Sequence, residues 1–197
     1  MFETEIKIKL RDDTETRKKL LQMGAEFKYF MHNSDKYYNF LRGGKDFAKT
    51  DEALRLRSTV LMDPISKQKI EEKHDLTYKG PKLKTSVKTR IEYESEVQNA
   101  EMINKIIGAL GFDLVIEIPK EREVFEIMFA TTHYTVLIDK IEVLSGYYLE
   151  AEIMVPEEQA IPAAKQKLVN FVSQLGYSEM DSIRESYLEL VMKNKKP

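Results

Sequence analysis

The chain has 197 residues with a formal net charge of -2, and 32% of its residues are charged, a composition typical of one soluble globular domain. The near-neutral charge gives no reason to expect nucleic acid or a membrane as partner, and the absence of cysteine excludes disulfides, thiolate metal sites and cysteine nucleophiles. No apolar run approaches the roughly 20 residues of a membrane span and the N-terminus lacks a signal-peptide pattern, so we expect a cytoplasmic protein with a single domain over residues 1–197.

Four helices are predicted along the chain. They cover about residues 14–23, 100–110, 157–175 and 182–192. The first two are bounded by capping residues and glycines, namely Asp12 or Asp13 with Gly24, and Asn99 with Gly111. Pro162 falls in the early part of the third, where it predicts a kink or a late start.

Most of the remaining sequence alternates with the period of two that is typical of strands. The predicted strands cover residues 2–10, 27–40, 53–61, 69–79, 85–97, 120–130, 133–143 and 147–155, and segment 112–118 is left open. Because short turns rather than helical crossovers join most of them, the sequence predicts an antiparallel sheet of eight strands with helices packed outside, in the α+β class. The histidines His32, His74 and His133 lie far apart without ligand spacing and are interpreted as surface or sheet residues.

Charged residues share one face of strand after strand, with apolar residues on the reverse. The first strand carries Glu3, Glu5, Lys7 and Lys9 on one face, opposite Phe2, Ile6, Ile8 and Leu10. The pattern recurs in Arg55 and Arg57, in Lys88, Arg90, Glu92, Glu94 and Glu96, in Lys120 and Arg122, and in Glu150 and Glu152. A solvated outer face explains one such strand. If the charged faces look inward instead, the sheet closes into a tunnel or barrel with a polar lumen, and its apolar exterior packs against the helices.

Two groups of charge would meet in such a lumen. The basic side chains are Lys7, Arg55, Arg57, Lys79, Lys120 and Arg122, and the acidic ones are Glu3, Glu5, Asp139, Glu150 and Glu152. Basic side chains repel one another in a narrow lumen, so their clustering indicates that an anion binds there. Six of them are too many for a monocarboxylate and favour a polyphosphate. Carboxylate oxygens are hard ligands that suit one or two Mg²⁺ or Mn²⁺ ions bridging phosphate oxygens.

Ordered motifs along nearly the whole chain resemble the CYTH, or triphosphate tunnel metalloenzyme, superfamily. The opening ETEIKIK resembles that family's Glu-x-Glu-x-Lys signature, and it is followed in the family's order by SDKYYN, ALRLR, LTYKGP, TRIEYE, PKERE, LIDKIE and YLEAE. The resemblance implies an antiparallel eight-stranded β tunnel, and LTYKGP with TRIEYE is most similar to the class IV adenylyl cyclase branch. The stretch LSGYYLEAE departs from the family pattern by an inserted Ser145 and by Ala151.

The resemblance also implies a role for each group of charges. Glu3, Glu5 and Glu152 would be metal ligands, supported by Asp139 and Glu150. The triphosphate would be bound by Lys7, Arg55, Arg57, Lys79, Lys120 and Arg122. Glu5, Lys7 and Glu152 would be the catalytic residues, while supporting roles would fall to Lys9, Arg90, Glu92 and Glu94.

Two enzymatic hypotheses share this site. In an adenylyl cyclase, the metal would polarise the α-phosphate of ATP and acidify the ribose 3′-hydroxyl, giving cyclic AMP and pyrophosphate. In a triphosphatase, water would attack the γ-phosphorus of inorganic triphosphate, a nucleoside triphosphate or thiamine triphosphate. A non-catalytic nucleotide or polyphosphate binder and an ordinary sheet protein are the remaining hypotheses. The general base is left open between a carboxylate, a lysine of lowered pKa and the metal's own effect on the nucleophile, and an exposed aromatic could support a homodimer.

Overall fold

The computed structural model describes residues 2–81 and 91–195, and the chain divides into two compact units. Unit 1 comprises Met1–Met31, Asp63–Lys67 and Glu121–Pro197, and unit 2 comprises His32–Met62 and Gln68–Lys120. Each unit has its own apolar core and its own set of charged residues. The single domain over residues 1–197 stays a prediction.

Within the described residues, eight strands belong to one sheet. They are β1 (Phe2–Lys9), β2 (Glu26–Asn39), β3 (Ala53–Met62), β4 (Lys69–Lys79), β5 (Glu92–Glu96), β6 (Asp113–Phe129), β7 (Thr132–Ile141) and β8 (Tyr147–Val155). Their order is β1-β8-β7-β6-β2-β3-β4-β5, and β1 with β8, β7 with β8, β3 with β4 and β4 with β5 form antiparallel pairs. The predicted α+β class and the eight antiparallel strands of the predicted tunnel are confirmed.

The described helices are α1 (Asp13–Gln22), α2 (Phe47–Thr50), α3 (Ala100–Ala109), α4 (Ile161–Gln174) and α5 (Tyr187–Asn194). Asp12 caps α1 and Asn99 caps α3, each through its side chain, as predicted. Gly24 follows α1 with φ of 91°, a left-handed conformation that glycine adopts without strain. None of the helices in residues 2–81 and 91–195 is long and apolar enough to cross a membrane.

The structure corrects several predicted boundaries. Predicted segments 112–118 and 120–130 form one strand, β6. Pro119 lies between them and lacks a hydrogen-bond donor, but its backbone is compatible with an extended conformation, so it does not end the strand. The helix predicted from residue 157 begins at Ile161, with Pro162 in its first turn, so the late start is the outcome. Part of the predicted strand 85–97 falls on residues 82–90, outside the described residues.

The last predicted helix starts too early. Ser182 forms an isolated bridge with Ile8, and the N–H of Ile183 donates a hydrogen bond to the carbonyl oxygen of Lys7 at 2.8 Å. Helix α5 begins only at Tyr187, after Ser186 exchanges capping-box hydrogen bonds with Glu189. The helix prediction for residues 182–186 is therefore wrong, because pairing with β1 outweighs local helix propensity there.

In unit 1, helix α4 covers the apolar face of β1 and β8. Ile8 and Leu149 are fully buried on that face, and Leu168 and Phe171 of α4 are fully buried as well. Burial of each such side chain stabilises the fold by about 1.5 to 3 kcal/mol. Because successive residues of a strand point to opposite faces, the charged residues of β1 and β8 lie on the face turned away from α4.

In unit 2, helix α3 packs against β3. Leu56 of β3 and Ile107 of α3 are buried together with Tyr38 of β2. Leu54 lies on the same face of β3 as Leu56, so Arg55 and Arg57 lie on the other face. Each unit thus turns a charged strand face away from its helix.

Candidate active site

Three glutamates come together in unit 1 on the charged face of β1 and β8. The antiparallel register places Glu5 directly opposite Glu152, with Glu3 two residues away on the same strand face as Glu5. One carboxylate oxygen from each residue lies within 4.8 Å of the other two. Glu3 and Glu5 are exposed and Glu152 is half-buried. We call these three residues the acid trio.

The acid trio holds one carboxyl group in an unfavourable environment for ionisation. Burial, together with the negative charges of Glu3, Glu150 and Glu5, raises the pKa of Glu152 to about 8. A divalent cation would relieve this repulsion. Three carboxylate oxygens at this spacing suit Mg²⁺ or Mn²⁺, and they leave coordination positions for water or phosphate oxygens. The donor set therefore fits the predicted metal.

Two further carboxylates of unit 1 contact cations. Arg122 donates from Nε and Nη2 to the two carboxylate oxygens of Asp139, both at 2.6 Å, and it also bonds Glu150. Lys7 Nζ lies 3.2 Å from Glu150 Oε1. Burial alone would lower the pKa of Arg122, but Asp139 and Glu150 raise it well above its ordinary value. Asp139 and Glu150 are thus engaged by Arg122 and Lys7, and their role as supporting metal ligands stays a prediction.

Tyr187 and Glu185 also belong to this part of unit 1, and sequence reasoning missed both. Lys7 Nζ donates to the Glu185 carbonyl oxygen at 3.1 Å and lies 4.1 Å from the centroid of the Tyr187 ring. Burial and the charges of Asp139 and Glu150 raise the pKa of Tyr187 well above its ordinary value. The available signal was the capping box S-Y-L-E at residues 186–189, which marks where α5 begins.

Three of the predicted phosphate-binding cations of unit 2, Arg55, Arg57 and Lys79, are paired with carboxylates. Arg57 donates to both carboxylate oxygens of Asp35, at 2.6 and 2.7 Å. Arg55 Nη2 donates to Thr77 Oγ1 at 3.1 Å and to Glu94 at 3.3 Å. Lys79 Nζ donates to Glu92 at 2.7 Å. The predicted supporting residues Glu92 and Glu94 therefore lie beside two of these cations.

Unit 2 nevertheless shows signs of excess positive charge. Arg55 Nε is buried, and no acceptor among the described residues forms a hydrogen bond with it. Burial and the positive charges of Arg55 and Arg57 lower the pKa of Lys79, although its bond to Glu92 opposes the effect. An anion near these side chains would satisfy the Arg55 donor and offset the repulsion.

The remaining predicted residues are placed as follows. Lys120 is buried in β6 within unit 2. Burial of Asp35 opposes its ionisation, but the positive charges of Arg57, Arg55 and Lys120 outweigh this effect and lower the pKa of Asp35. Lys9 is exposed and donates to Ser145 Oγ at 3.0 Å. Arg90 lies outside the described residues.

Asp35 is a further residue that sequence reasoning did not assign to the site. Alternation along β2 places it on one strand face with Asn33, Tyr37 and Asn39. This polar row, with Asn33, Asp35 and Asn39 all buried, was the signal that could have identified it. Asp35 orients Arg57, and burial near Asp35 raises the pKa of Tyr37 to about 12.

A pocket opens where β7 and β8 part, between the end of β8 and helix α4. Their pairing ends at Thr135 opposite Glu152, although β8 continues to Val155 alongside β1. The pocket has a volume of about 470 Å³, and its lining includes Glu152, His133, Lys167 and the small residue Ala163. Helix α4 borders this pocket, whereas the acid trio lies on the face of β1 and β8 turned away from α4.

Comparisons with known proteins agree with this arrangement. The profile of the CYTH domain matches residues 1–187. The Methanocaldococcus jannaschii protein MJ0240, named as a candidate adenylate cyclase, is 32% identical over 190 residues, which cover 96% of this chain and 98% of that protein. The solved structure of the PH1819 protein from Pyrococcus horikoshii OT3 has 31% identity and a TM-score of 0.79, over 98% of this chain and 100% of that one.

A plant protein shares the fold at lower identity. This Hippeastrum protein, a candidate adenylyl cyclase described as having a dominant triphosphatase activity, is 18% identical with a TM-score of 0.67, over 100% of this chain and 98% of that one. At this identity the likeness shows the fold alone.

Proposed function

The chain belongs to the CYTH domain family, and from this premise we propose that it is a metal-dependent enzyme acting on a small-molecule triphosphate, most like a class IV adenylyl cyclase. The adenylate cyclase name of the 32% identical relative supports ATP as substrate, with cyclic AMP and pyrophosphate as products. The observation that carries the proposal is the acid trio, whose carboxylate oxygens lie within 4.8 Å of one another.

The acid trio would hold one or two Mg²⁺ or Mn²⁺ ions. Such a cation supplies Lewis-acid polarisation of a phosphoryl group and lowers the pKa of the attacking hydroxyl. Glu152 would exchange its proton for the cation, because burial and Glu3 already disfavour its ionised form without one. Glu5, directly opposite Glu152 on β1, would share the same ion.

The cations of unit 2 would bind phosphate oxygens. A buried donor without a partner costs about 1 to 3 kcal/mol, so Arg55 Nε gains from a phosphate oxygen that accepts its hydrogen bond. Arg57 is held in a fixed direction by its two bonds to Asp35, which suits it to forked contact with a phosphate. An anion beside Lys79 would raise its pKa again by offsetting the charges of Arg55 and Arg57, although burial continues to lower it. Roles for Lys7, Lys120 and Arg122 in phosphate binding belong to the same proposal.

The principal alternative is a triphosphatase that uses the same residues. In this proposal the acid trio and the arginines would contact only the triphosphate part of a substrate, so they would serve hydrolysis as well as cyclisation. Cytoplasmic location and a homodimer stay predictions.

Product identification by phosphorus NMR tests the proposal. Purified protein is offered ATP or inorganic triphosphate, each with Mg²⁺, with Mn²⁺ and with a chelator. Cyclic AMP with pyrophosphate is the expected result, and orthophosphate release, fastest from inorganic triphosphate, would establish the triphosphatase instead. No product with any metal would refute both enzymatic functions.

A pair of variants tests the metal ligands in the same assay. Glu5→Gln is expected to abolish metal-dependent turnover, because an amide replaces one charged oxygen ligand. Glu158→Gln, at an exposed position of a 3₁₀ turn, makes the same chemical change away from the acid trio and should behave as wild type. Unchanged activity of Glu5→Gln at saturating metal would remove Glu5 from the site.

A further inference from the structure

The segment that precedes α5 is attached to β1 at the level of Lys7. We call residues 182–187, which end at the first residue of α5, the C-terminal strap. Ser182 forms a bridge with Ile8, and the N–H of Ile183 donates to the carbonyl oxygen of Lys7 at 2.8 Å. The strap therefore fixes the main chain at Lys7, on the strand that also carries Glu3 and Glu5.

The strap also surrounds the side chain of Lys7. The ammonium donates to the carbonyl oxygen of Glu185 at 3.1 Å, lies 3.2 Å from Glu150 Oε1, and sits 4.1 Å from the centroid of the Tyr187 ring. Only 4% of the Lys7 surface is exposed. A lysine side chain has many rotamers in solution, so contacts from three directions select one of them.

The Tyr187 ring is itself held in place. It packs edge-on against Tyr148 of β8, with ring centroids 5.7 Å apart and planes at 85°. It occupies the first residue of α5, directly after the Ser186 cap. The face of an aromatic ring attracts a cation through its quadrupole, and this attraction grows where water is excluded, as it is around Lys7.

We propose that Tyr187 is a positioning residue whose ring holds the Lys7 ammonium in the direction required for phosphate binding. Tyr187 lies outside the motifs of the charged strands and is not part of the acid trio. The consequence for turnover rests on the proposed function, whereas the positioning of Lys7 does not. The two are therefore tested by separate measurements on the full-length protein.

The first measurement needs no substrate or metal. Lys7 is acylated by an amine-reactive ester, and the rate at this residue is followed by mass spectrometry of proteolytic peptides. Tyr187→Leu is expected to raise the rate several-fold, and Tyr187→Phe, which keeps the ring, is expected to restore protection. Tyr177→Leu is the matched control, since it also removes a tyrosine ring that faces a cation: the Tyr177 ring centroid lies 5.1 Å from the Arg11 guanidinium carbon. If Tyr187→Leu leaves Lys7 as protected as wild type, the proposal is refuted.

The second measurement separates KM from kcat for the triphosphate substrate. Tyr187→Leu is expected to raise KM by about 2- to 30-fold, the range that one cation–π contact supplies, with a smaller change in kcat. Tyr187→Phe should restore KM. An equal rise in KM for Tyr187→Phe and Tyr187→Leu would refute a role for the ring. An equal rise in KM for Tyr187→Leu and Tyr177→Leu would refute the proposal as well, because it would show a general loss of stability rather than a specific effect on Lys7.

Two precautions keep these tests decisive. If Tyr187→Leu does not fold, Tyr187→Met removes the ring with a longer apolar side chain and takes its place under the same expectations. If the wild-type protein turns over no triphosphate, the proposed function fails, while acylation of Lys7 still decides whether Tyr187 positions it.

Discussion

Replacement of Glu152 by glutamine is expected to stabilise the metal-free protein at high pH and to abolish its stabilisation by divalent metal. Burial, followed by the charge of Glu3, raises the pKa of this carboxyl group to about 8. In the unfolded chain the group ionises near 4.5. Its contribution to stability is therefore fully present below about pH 4.5 and is lost as the pH rises through about 8.

The size of this effect follows from the pKa difference. At about 1.4 kcal/mol per pKa unit, the rise from 4.5 to about 8 corresponds to about 5 kcal/mol lost by the metal-free wild type on full ionisation. Glu3 and Glu5 are exposed, so solvent screens their repulsion, and we expect about 2 to 3 kcal/mol. The Glu152→Gln variant lacks the ionisation and should escape this loss.

Urea unfolding at pH 5, 7 and 9 in the presence of a chelator measures the difference, with Glu158→Gln as control. Wild type and control should lose stability between pH 5 and 9 relative to Glu152→Gln. Addition of Mn²⁺ at about 100 times its dissociation constant should then stabilise wild type by about 2.7 kcal/mol and the variant far less. Parallel pH dependence in wild type and Glu152→Gln would refute the raised pKa of Glu152, and equal stabilisation of both by Mn²⁺ would refute the acid trio as a metal site.

Three further outcomes are expected. Arg57→Ala leaves Asp35 buried without its forked partner and should cost about 3 kcal/mol in urea unfolding at pH 7; a loss below about 1 kcal/mol would contradict the importance of this pair. Thr131→Gly relieves a left-handed residue with φ of 64° in the turn between β6 and β7, and a rise in stability of about 1 kcal/mol is expected with turnover unchanged; an unaltered midpoint would show that the turn carries no strain. Ala163→Phe narrows the pocket that α4 borders and should leave KM unchanged for ATP and for inorganic triphosphate, because the acid trio lies on the other face of β1 and β8; a rise in KM for ATP alone would assign the nucleoside to this pocket.

Strand periodicity was sufficient to predict which charged residues share a face. Alternation along β1 predicts that Glu3, Glu5 and Lys7 point the same way, because the side-chain period of a strand is fixed. The direct opposition of Glu5 and Glu152 depends on the pairing of the first strand with the last, a contact between distant parts of the chain. No local pattern encodes that register.

The same limit applies to the ion pairs. The sequence shows that Asp139 and Glu150 are acidic and face the predicted lumen, but their contact with Arg122 depends on which strands are neighbours and on how far each is offset. The C-terminal strap was missed for a related reason. Residues 182–186 have an acceptable helix composition, and only the partner backbone of β1 at Lys7 and Ile8 draws them into an extended conformation.

The carboxylates beside the unit 2 cations have a consequence for selectivity among anions. Two of these cations already have an internal competitor, Arg55 in Glu94 and Lys79 in Glu92. An incoming anion must displace these two carboxylates, and a single orthophosphate gains too few contacts to replace both at once. In a chain of linked phosphoryl groups, the first group to replace a carboxylate holds the next group close to the second cation, so the second replacement becomes easier. The arrangement would favour long phosphate chains over abundant free orthophosphate and would keep inhibition by that ion weak.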